Sequence, residues 1–161
     1  MLKAIPVQSY HVEKLSMQNQ FELVKTRFET DKFAQSLGIV LDALTDRTIQ
    51  MHMALREDMN NWFNRLHGGA IYALADAAFS LLANNNCNIA VALECSITYH
   101  ASPDPDSTLV VYGETLSASK RTAAYLFKVY MEKDETPRLV ATMKSVSYKT
   151  NIPIDEKNEE P

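Results

Sequence analysis

The sequence predicts an α+β fold in which one long apolar helix packs against an antiparallel β-sheet. Residues 68–84 are small or apolar at almost every position, and a helix that is apolar all round is normally buried. The segments on either side alternate between apolar and polar residues and are joined by short turns, which is typical of antiparallel strands. Such a sheet covers one side of the helix, so the other side needs a second cover, which a partner chain could supply.

The elements before the sheet are helical. Residues 1–10 show no pattern, and from about residue 12 to residue 28 apolar side chains recur at helical spacing among charged ones. This pattern predicts an amphipathic surface helix, and a lid or an oligomer contact is its alternative role. A second short helix is predicted for residues 31–37, closed by Gly38. We therefore expect residues 1–36 to form an N-terminal helical extension.

Six strands complete the predicted domain. Each is a run of apolar and β-branched residues, often alternating with polar ones, between turn-forming residues. The first predicted strand begins at residues 39–41. The others span residues 48–55, 91–99, 109–116, 123–131 and 139–148. We expect the sheet and its helix to occupy residues 37–150. The acidic, proline-bearing residues 151–161 are expected to form a flexible tail.

Composition and charge restrict the possible function classes. The chain of 161 residues is long enough for one domain, and its net charge of −4 argues against nucleic acid as a partner. No apolar run has the length of a signal peptide or a membrane span, which predicts a cytoplasmic protein without a membrane partner. The two cysteines, Cys87 and Cys95, lack metal-ligand spacing, so we expect no metal ion. No cofactor-binding motif is present either, and no cofactor is expected.

The start of the long helix is the segment most informative about chemistry. Gly68 and Gly69 open an apolar run that carries one charge, Asp76. Free N–H groups at a helix start point toward an oxygen placed there, and glycine lets that oxygen come close. A carboxylate in such a helix is costly, or its pKa is raised, unless a partner lies nearby. One segment therefore supplies an oxyanion site and a carboxylate.

The spacing of these two groups predicts a site shared between two chains. Asp76 lies eight residues after Gly68, roughly 12 Å along a helix, which is too far for both groups to act on one carbonyl. Two such helices packed antiparallel across a two-fold axis would bring Gly68 of one chain to Asp76 of the other, and two-fold dimers are the commonest assemblies. The structural alternative is an ordinary helix start with a core aspartate bonded to a neighbouring hydroxyl.

Several motifs together resemble the hotdog-fold acyl-coenzyme A thioesterases, and most closely their phenylacetate-pathway thioesterase-like branch. They are the His-Gly-Gly run at 67–69, the Leu-Ala-Asp-Ala-Ala run at 74–78, the strand at 91–99 and the basic turn at 120–123. The resemblance covers about residues 37–149. In that family a curved antiparallel sheet wraps a long central helix, and dimers with antiparallel helices often pair into tetramers. The resemblance therefore implies acyl-coenzyme A as the substrate and a homodimer or a dimer of dimers as the assembly.

The resemblance also implies roles for individual residues. Asp76 would be the nucleophile or general base on the thioester, and the Gly68 N–H would polarise the thioester carbonyl. His67 and Asn61 would help to position water or the thioester. Many relatives carry a serine or threonine early in the strand after the helix, where this chain has Ala92, so a helper hydroxyl would be missing.

We expect Gly69, Lys120 and Arg121 to bind the substrate. Guanidinium groups suit phosphate oxygens, which coenzyme A carries, although an ordinary solvated turn is the alternative for this basic pair. The sequence does not fix the acyl group. Its pocket could be lined by Met53, Trp62, Phe63, Tyr72 and Phe79.

Two other functions are compatible with parts of this pattern. One is a hotdog dehydratase or hydratase acting on acyl thioesters, which would use a histidine with an acid in a differently built loop and helix start. The other is a non-catalytic acyl-thioester-binding module that uses the same groove. The presence of Asp76 argues against such a module, because binding alone gains nothing from a costly buried charge.

Overall fold

The computed structural model describes residues 17–86, 88–132 and 136–154. In those ranges the helices are α1 (Met17–Glu29), α2 (Lys32–Ser36) and α3 (Gly68–Asn84). The strands are β1 (Ile39–Leu44), β2 (Thr48–Ala54), β3 (Asn88–Tyr99), β4 (Thr108–Ala118), β5 (Thr122–Glu132) and β6 (Arg138–Pro153). A short 3-10 helix, Glu57–Met59, lies in the connection between β2 and α3.

The strands form one antiparallel sheet in the order β1-β2-β4-β5-β6-β3, and α3 packs against its inner face. Along β5 buried side chains alternate with partly or fully exposed ones, as in a strand with one face on the core. Fully buried side chains from α3 and from three strands meet in the core: Leu74, Met51, Phe127 and Met143. The predicted packing of one long helix on an antiparallel sheet is confirmed.

The helix α3 is buried on every side but one. Eleven of its 17 residues are buried. The less buried residues Gly69, Tyr72, Asp76 and Ser80 follow one another at intervals of three or four, so they form one stripe on the helix surface. The helix is therefore apolar nearly all round, as predicted, and the stripe that carries its one charge is left uncovered within the protomer.

The strand β3 departs from the alternation that the sequence predicts. Ala92 lies opposite Ser147 and Cys95 opposite Ser145, and both serines are buried on the inner side of β6. Leu93, between them, is the extra residue of a β-bulge, which shifts the alternation by one position. A regular alternation along 91–99 would place Leu93 and Cys95 on one face, and this expectation is wrong because the bulge puts Ala92 and Cys95 on the inner side.

The N-terminal extension folds as two helices in its described part. The first residues of the predicted first helix, 12–16, lie outside the described residues. At the start of α2, Asp31 Oδ1 accepts hydrogen bonds from the N–H groups of Phe33 and Ala34, at 3.1 and 3.0 Å. This is an N-cap. Gly38 follows α2 with a φ of 70°, a conformation that favours glycine and ends the helix as predicted.

The last strand is longer than the sequence predicts. β6 continues to Pro153, which pairs with Asn88, so the domain extends past its predicted end at residue 150. The first residues of the predicted flexible tail are therefore part of the sheet. Residues 155–161 of that tail lie outside the described residues.

Candidate active site

The helix α3 begins with a hydrogen-bonded cap that leaves one amide unpaired. His67 Nδ1 accepts a hydrogen bond from the Gly69 N–H at 2.9 Å, and the Ala70 N–H donates to the His67 carbonyl at 3.0 Å. The Gly68 N–H has no hydrogen-bond partner among the residues that the structure describes. It is free to donate to an oxygen, and the partial positive charge of the helix N-terminus favours a negatively charged one.

This cap limits the hydrogen-bonding groups that Gly69 and His67 can offer a substrate. The Gly69 N–H is engaged within the chain, so Gly69 offers no second free amide. A Cβ added to Gly69 would lie 3.0 Å from His67 Nδ1, so the glycine makes room for the capping imidazole. Because His67 Nδ1 accepts a hydrogen bond, the neutral imidazole carries its proton on Nε2, where it can donate outward. The cap and the predicted helper role of His67 use different nitrogens and are compatible.

The structure places one more residue at this turn, Tyr99, which the sequence analysis did not single out. Its hydroxyl donates a hydrogen bond to the Gly68 carbonyl oxygen at 3.1 Å. A Cβ added to Gly68 would lie 3.3 Å from Tyr99 Cζ, so the ring packs directly against the glycine. The sequence offers no direct indication of this contact, because 31 positions separate the two residues and the end of β3 brings them together.

Asp76 lies midway along α3, on the uncovered stripe. Its carboxylate is half-buried and has no hydrogen-bond or ion-pair partner among the described residues. Burial, and secondarily the negative charge of Asp31, raise the pKa of the Asp76 carboxyl. No hydrogen bond joins Asp76 to Ser80, so the alternative of an aspartate bonded to a neighbouring hydroxyl finds no support in the described part of the chain.

One turn before Asp76, the Tyr72 side chain lies beside the Cys95 thiol. Burial, the interaction with this thiol and nearby acidic groups that include Asp76 raise the pKa of Tyr72 to about 12, so the phenol is neutral at physiological pH. Cys95 is a free, half-buried thiol that packs against the core. No positively charged group in the described part of the chain opposes the effect of burial on the Asp76 pKa.

The connection before α3 is a hydrogen-bonded hairpin. Asn61 Oδ1 accepts hydrogen bonds from the N–H groups of Phe63 and Arg65 at 2.9 and 3.3 Å. Asn60 and Leu66 close the loop through an isolated β-bridge. The Asn61 oxygen is therefore committed to the loop, and its Nδ2 is the part of the side chain that remains for a substrate.

The five candidate pocket residues fall into three groups. Met53 and Phe79 are 0% and 3% exposed and belong to the core, so the expectation that they line a pocket is wrong. Trp62 and Phe63 project from the loop tip with 87% and 63% of their surfaces exposed, and their rings stack at a centroid distance of 3.6 Å. Tyr72 lies beside Asp76 and is partly accessible.

The basic turn of Lys120 and Arg121 is exposed and lies at the far end of the domain from the start of α3. Arg121 Nη1 donates a hydrogen bond to the Tyr148 hydroxyl at 3.3 Å. Tyr148 pairs with Val91, and Tyr99 is eight residues further along β3, which is roughly 26 Å along a strand. In one protomer, therefore, this turn is remote from the free amide at the start of α3.

A single protomer thus brings His67, Gly68 and Gly69 together and holds Asp76 and the basic turn of Lys120 and Arg121 apart from them. A groove of about 530 Å³ lies on the outer face of the sheet among Tyr112, Lys128 and Tyr130, and none of the predicted site residues lines it.

Among the described residues, no three or more His, Cys, Asp or Glu side chains are grouped so that they could hold a metal ion. No helix in the described ranges is long and apolar enough to cross a membrane.

Comparisons with known proteins agree on one family. The model of the thioesterase superfamily matches residues 63–138. A candidate esterase of Archaeoglobus fulgidus is 30% identical over 124 residues, which are 77% of this chain and 79% of that protein. Acyl-coenzyme A thioesterase PaaI of Escherichia coli is 27% identical over 112 residues, 70% of this chain and 80% of that protein. The solved structure of the E. coli PaaI protein from the phenylacetic acid degradation operon has a TM-score of 0.79 at 23% identity, over 87% of this chain and 100% of that one. The two chains share one fold.

Proposed function

This chain belongs to the thioesterase superfamily, and we propose that it hydrolyses acyl-coenzyme A thioesters to a free acid and coenzyme A. Its fold is the hotdog fold that the resemblance implies. One observation carries the proposal: α3 bears a half-buried carboxylate without a partner, Asp76, and an N–H without a partner at its first residue, Gly68. These are the base and the oxyanion donor that thioester hydrolysis without a cofactor requires.

The Gly68 N–H is the oxyanion donor in this proposal. Attack on a thioester carbonyl moves negative charge onto the carbonyl oxygen, and a fixed N–H placed there stabilises the transition state more than the ground state. The N-terminal end of α3 adds the partial positive charge of the helix dipole. Gly68 also has no side chain to block the approach of the carbonyl oxygen.

Asp76 supplies the base. It accepts a proton from a water molecule as the water oxygen bonds to the carbonyl carbon. The tetrahedral intermediate then collapses, the carbon–sulfur bond breaks, and the departing thiolate takes the proton back from Asp76. Burial raises the pKa of this carboxyl, which strengthens it as a base. In the alternative route Asp76 attacks directly, forms an acid anhydride and expels the thiolate, and water then cleaves the anhydride.

We place the two groups of one site on two protomers. Gly68 and Asp76 of one chain lie roughly 12 Å apart along α3, which excludes a shared carbonyl within one protomer. The stripe of α3 that carries Asp76 is uncovered, and β3 beside it is an edge strand with exposed apolar side chains at Val91 and Leu93. A two-fold dimer with antiparallel α3 helices would cover the stripe and form two equal sites.

The same dimer gives the basic turn a role. Lys120 and Arg121 lie at the C-terminal end of their own α3, and in an antiparallel helix pair that end lies toward the partner's helix start. We propose that they meet the phosphates of coenzyme A bound at the partner's Gly68. His67 Nε2 and Asn61 Nδ2 remain the candidates for positioning water or the thioester, and Gly69 lets the His67 ring lie against the helix start.

The proposal is tested by thiol release from a panel of acyl-coenzyme A substrates with short, long and aromatic acyl groups. We expect turnover with at least one of them, and steady production of one thiol per acid formed. After hydrolysis in ¹⁸O-labelled water under single-turnover conditions, label in Asp76 would identify the anhydride route, because only that route can place the label there. Absence of thiol release from every member of the panel would contradict the proposed function.

A further inference from the structure

We propose that Tyr99 is a positioning residue, which holds the first turn of α3 so that the Gly68 N–H points at the thioester oxygen. The inference rests on the proposed function, since it gives the free amide of Gly68 a purpose. It concerns a residue outside the carboxylate and amide pair, located at the end of β3 and brought to the helix start by the sheet.

The contact between Tyr99 and Gly68 has two parts. The Tyr99 hydroxyl donates a hydrogen bond to the Gly68 carbonyl oxygen at 3.1 Å. The ring lies so close to the glycine that an added Cβ would be 3.3 Å from Cζ and 3.4 Å from the hydroxyl oxygen. The ring thus fixes the Gly68 backbone from the side, and the hydroxyl fixes the direction of its carbonyl.

Together with the cap, this contact holds both peptide planes that meet at Gly68. The plane before Gly68 is held by the His67 carbonyl, which accepts a hydrogen bond from the Ala70 N–H at 3.0 Å. The plane after Gly68 is held at its carbonyl by Tyr99 and at its N–H by His67 Nδ1. The Gly68 N–H itself is the one group of the two planes that is left without a partner in the described chain.

Such fixing matters because two glycines stand at this position. Glycine has more backbone freedom than any other residue, and the first turn of a helix lacks the hydrogen bonds that hold later turns. An oxyanion donor is effective because its orientation is fixed before the reaction. An amide whose orientation varies therefore stabilises the oxyanion less. Tyr99 supplies from β3 the constraint that the Gly68 and Gly69 backbone lacks.

Tyr99 acts through Gly68 and not on the substrate. Its hydroxyl proton is committed to the Gly68 carbonyl, so it is not offered to the thioester. Core packing does not account for the residue either, because 49% of its surface is exposed in the protomer. A phenylalanine would retain the ring contact and lose only the hydrogen bond, which makes the role of the hydroxyl separable.

The test is Tyr99→Phe, with Tyr112→Phe as the matched control on the outer face of the sheet. We expect kcat to fall about two- to tenfold for Tyr99→Phe, the range of one ordinary hydrogen bond, while KM for the acyl-coenzyme A stays unchanged. The pH dependence of kcat should keep its shape, because Asp76 is untouched. In spectra of ¹⁵N-labelled protein, the Gly68 amide resonance should move or broaden. Tyr112→Phe should change none of these quantities.

Two results would overturn the inference while the proposed function stands. One is an active wild-type enzyme whose kcat and Gly68 resonance are unaffected by Tyr99→Phe. The other is a loss for Tyr99→Phe in which KM rises and the melting temperature falls together, since that pattern belongs to general loosening of the fold. A wild-type protein without thiol release would overturn the proposed function as well, and it is recognised by the absence of turnover before any substitution.

Discussion

The two edges of the sheet differ in the features that control pairing with another strand. β1 has six residues, packs against α2 and carries a bulge whose extra residue is the charged Asp42. β3 has 12 residues, and the extra residue of its bulge is Leu93, which is 59% exposed. Short, covered and charged edges resist pairing, whereas a long apolar edge favours it. The comparison indicates that β3 is the edge through which two protomers would join.

A carboxylate near each edge, Asp42 at β1 and Asp76 beside β3, can be compared, and the two differ in their partners. Asp42 on β1 is hydrogen-bonded to His52 Nδ1 at 2.7 Å. Asp76 lies on the α3 stripe beside β3, where Tyr72 meets Cys95, and has no partner among the described residues. A paired carboxylate is explained within the protomer. An unpaired one whose pKa is raised by burial is a group that the fold tolerates at a cost, as catalytic residues often are.

The largest expected effect separates these two carboxylates. Asp76→Asn should lower kcat on the order of 10²-fold or more, as removal of an activating base does, whereas Asp42→Asn should leave kcat unchanged. Because burial raises the Asp76 pKa above its unfolded value, ionisation of the folded protein destabilises it as the pH rises through that pKa. Asn removes this cost, so the variant should melt no lower than wild type at neutral pH. Thiol-release assays measure kcat, and thermal melts measure the melting temperature. Near-normal turnover of Asp76→Asn would show that Asp76 has a structural role and no catalytic one.

The next effect separates the two edges. Val91 on β3 and Val40 on β1 are both 45% exposed, so the same substitution can be made at each. Val91→Lys should weaken the dimer and lower specific activity about tenfold in dilute solution, with recovery as protein concentration rises. Val40→Lys should change neither. Light scattering and concentration-dependent assays provide the readout. Equal behaviour of the two variants would show that the edges do not differ as described.

A smaller effect concerns the basic turn. Arg121→Ala should raise KM for acyl-coenzyme A about tenfold at low salt with little change in kcat, because a remote phosphate contact is equal in the ground and transition states. Lys128→Ala on the outer face of the sheet is the control. The effect should shrink at high salt and vanish with an acyl-pantetheine that lacks the nucleotide. A change of the same size with both substrates would rule out the phosphate contact.

The smallest expected effect is a displaced pH profile. The charge of Asp31 helps to raise the Asp76 pKa, so Asp31→Asn should lower that pKa and move the acidic limb of kcat/KM to lower pH. Asparagine caps a helix about as well as aspartate, so α2 should remain intact. The plateau rate should not change. If the acidic limb stays in place or moves to higher pH, the charge of Asp31 does not raise the pKa of the catalytic group.

Most of the fold could be predicted from the sequence because its periodicities are strong. The apolar run that follows Gly68 could only be a buried helix, and the strands after it were bounded by clear turns. The bulge at Leu93 could not be predicted, because an extra residue leaves no mark in an alternating pattern until the partner strand β6 is in place. The length of β6 beyond residue 150 was missed for the same reason, since pairing with Asn88 extends it.

The site was predictable in part. Gly68 and Asp76 stand out in the sequence because a glycine pair at a helix start and a charge in an apolar helix are both unusual. The capping bond of His67 and the loop-forming bonds of Asn61 depend on local geometry that the residue types permit but do not require. The contact of Tyr99 with Gly68 depends on tertiary structure alone.

The central claim is that each site takes Gly68 from one protomer and Asp76 from the other, and complementation between two inactive variants tests it directly. One variant is Asp76→Asn. The other is Gly68→Pro, because proline suits the first position of a helix and removes the N–H that the chain does not use. Its Cβ would lie 3.3 Å from Tyr99 Cζ, so a melting temperature close to that of wild type is required of this variant. Each should be nearly inactive alone. After unfolding and refolding of an equal mixture, half of the dimers should be mixed and have one intact site, which restores about a quarter of wild-type activity. Activity no higher than the sum of the separate variants would contradict the shared site.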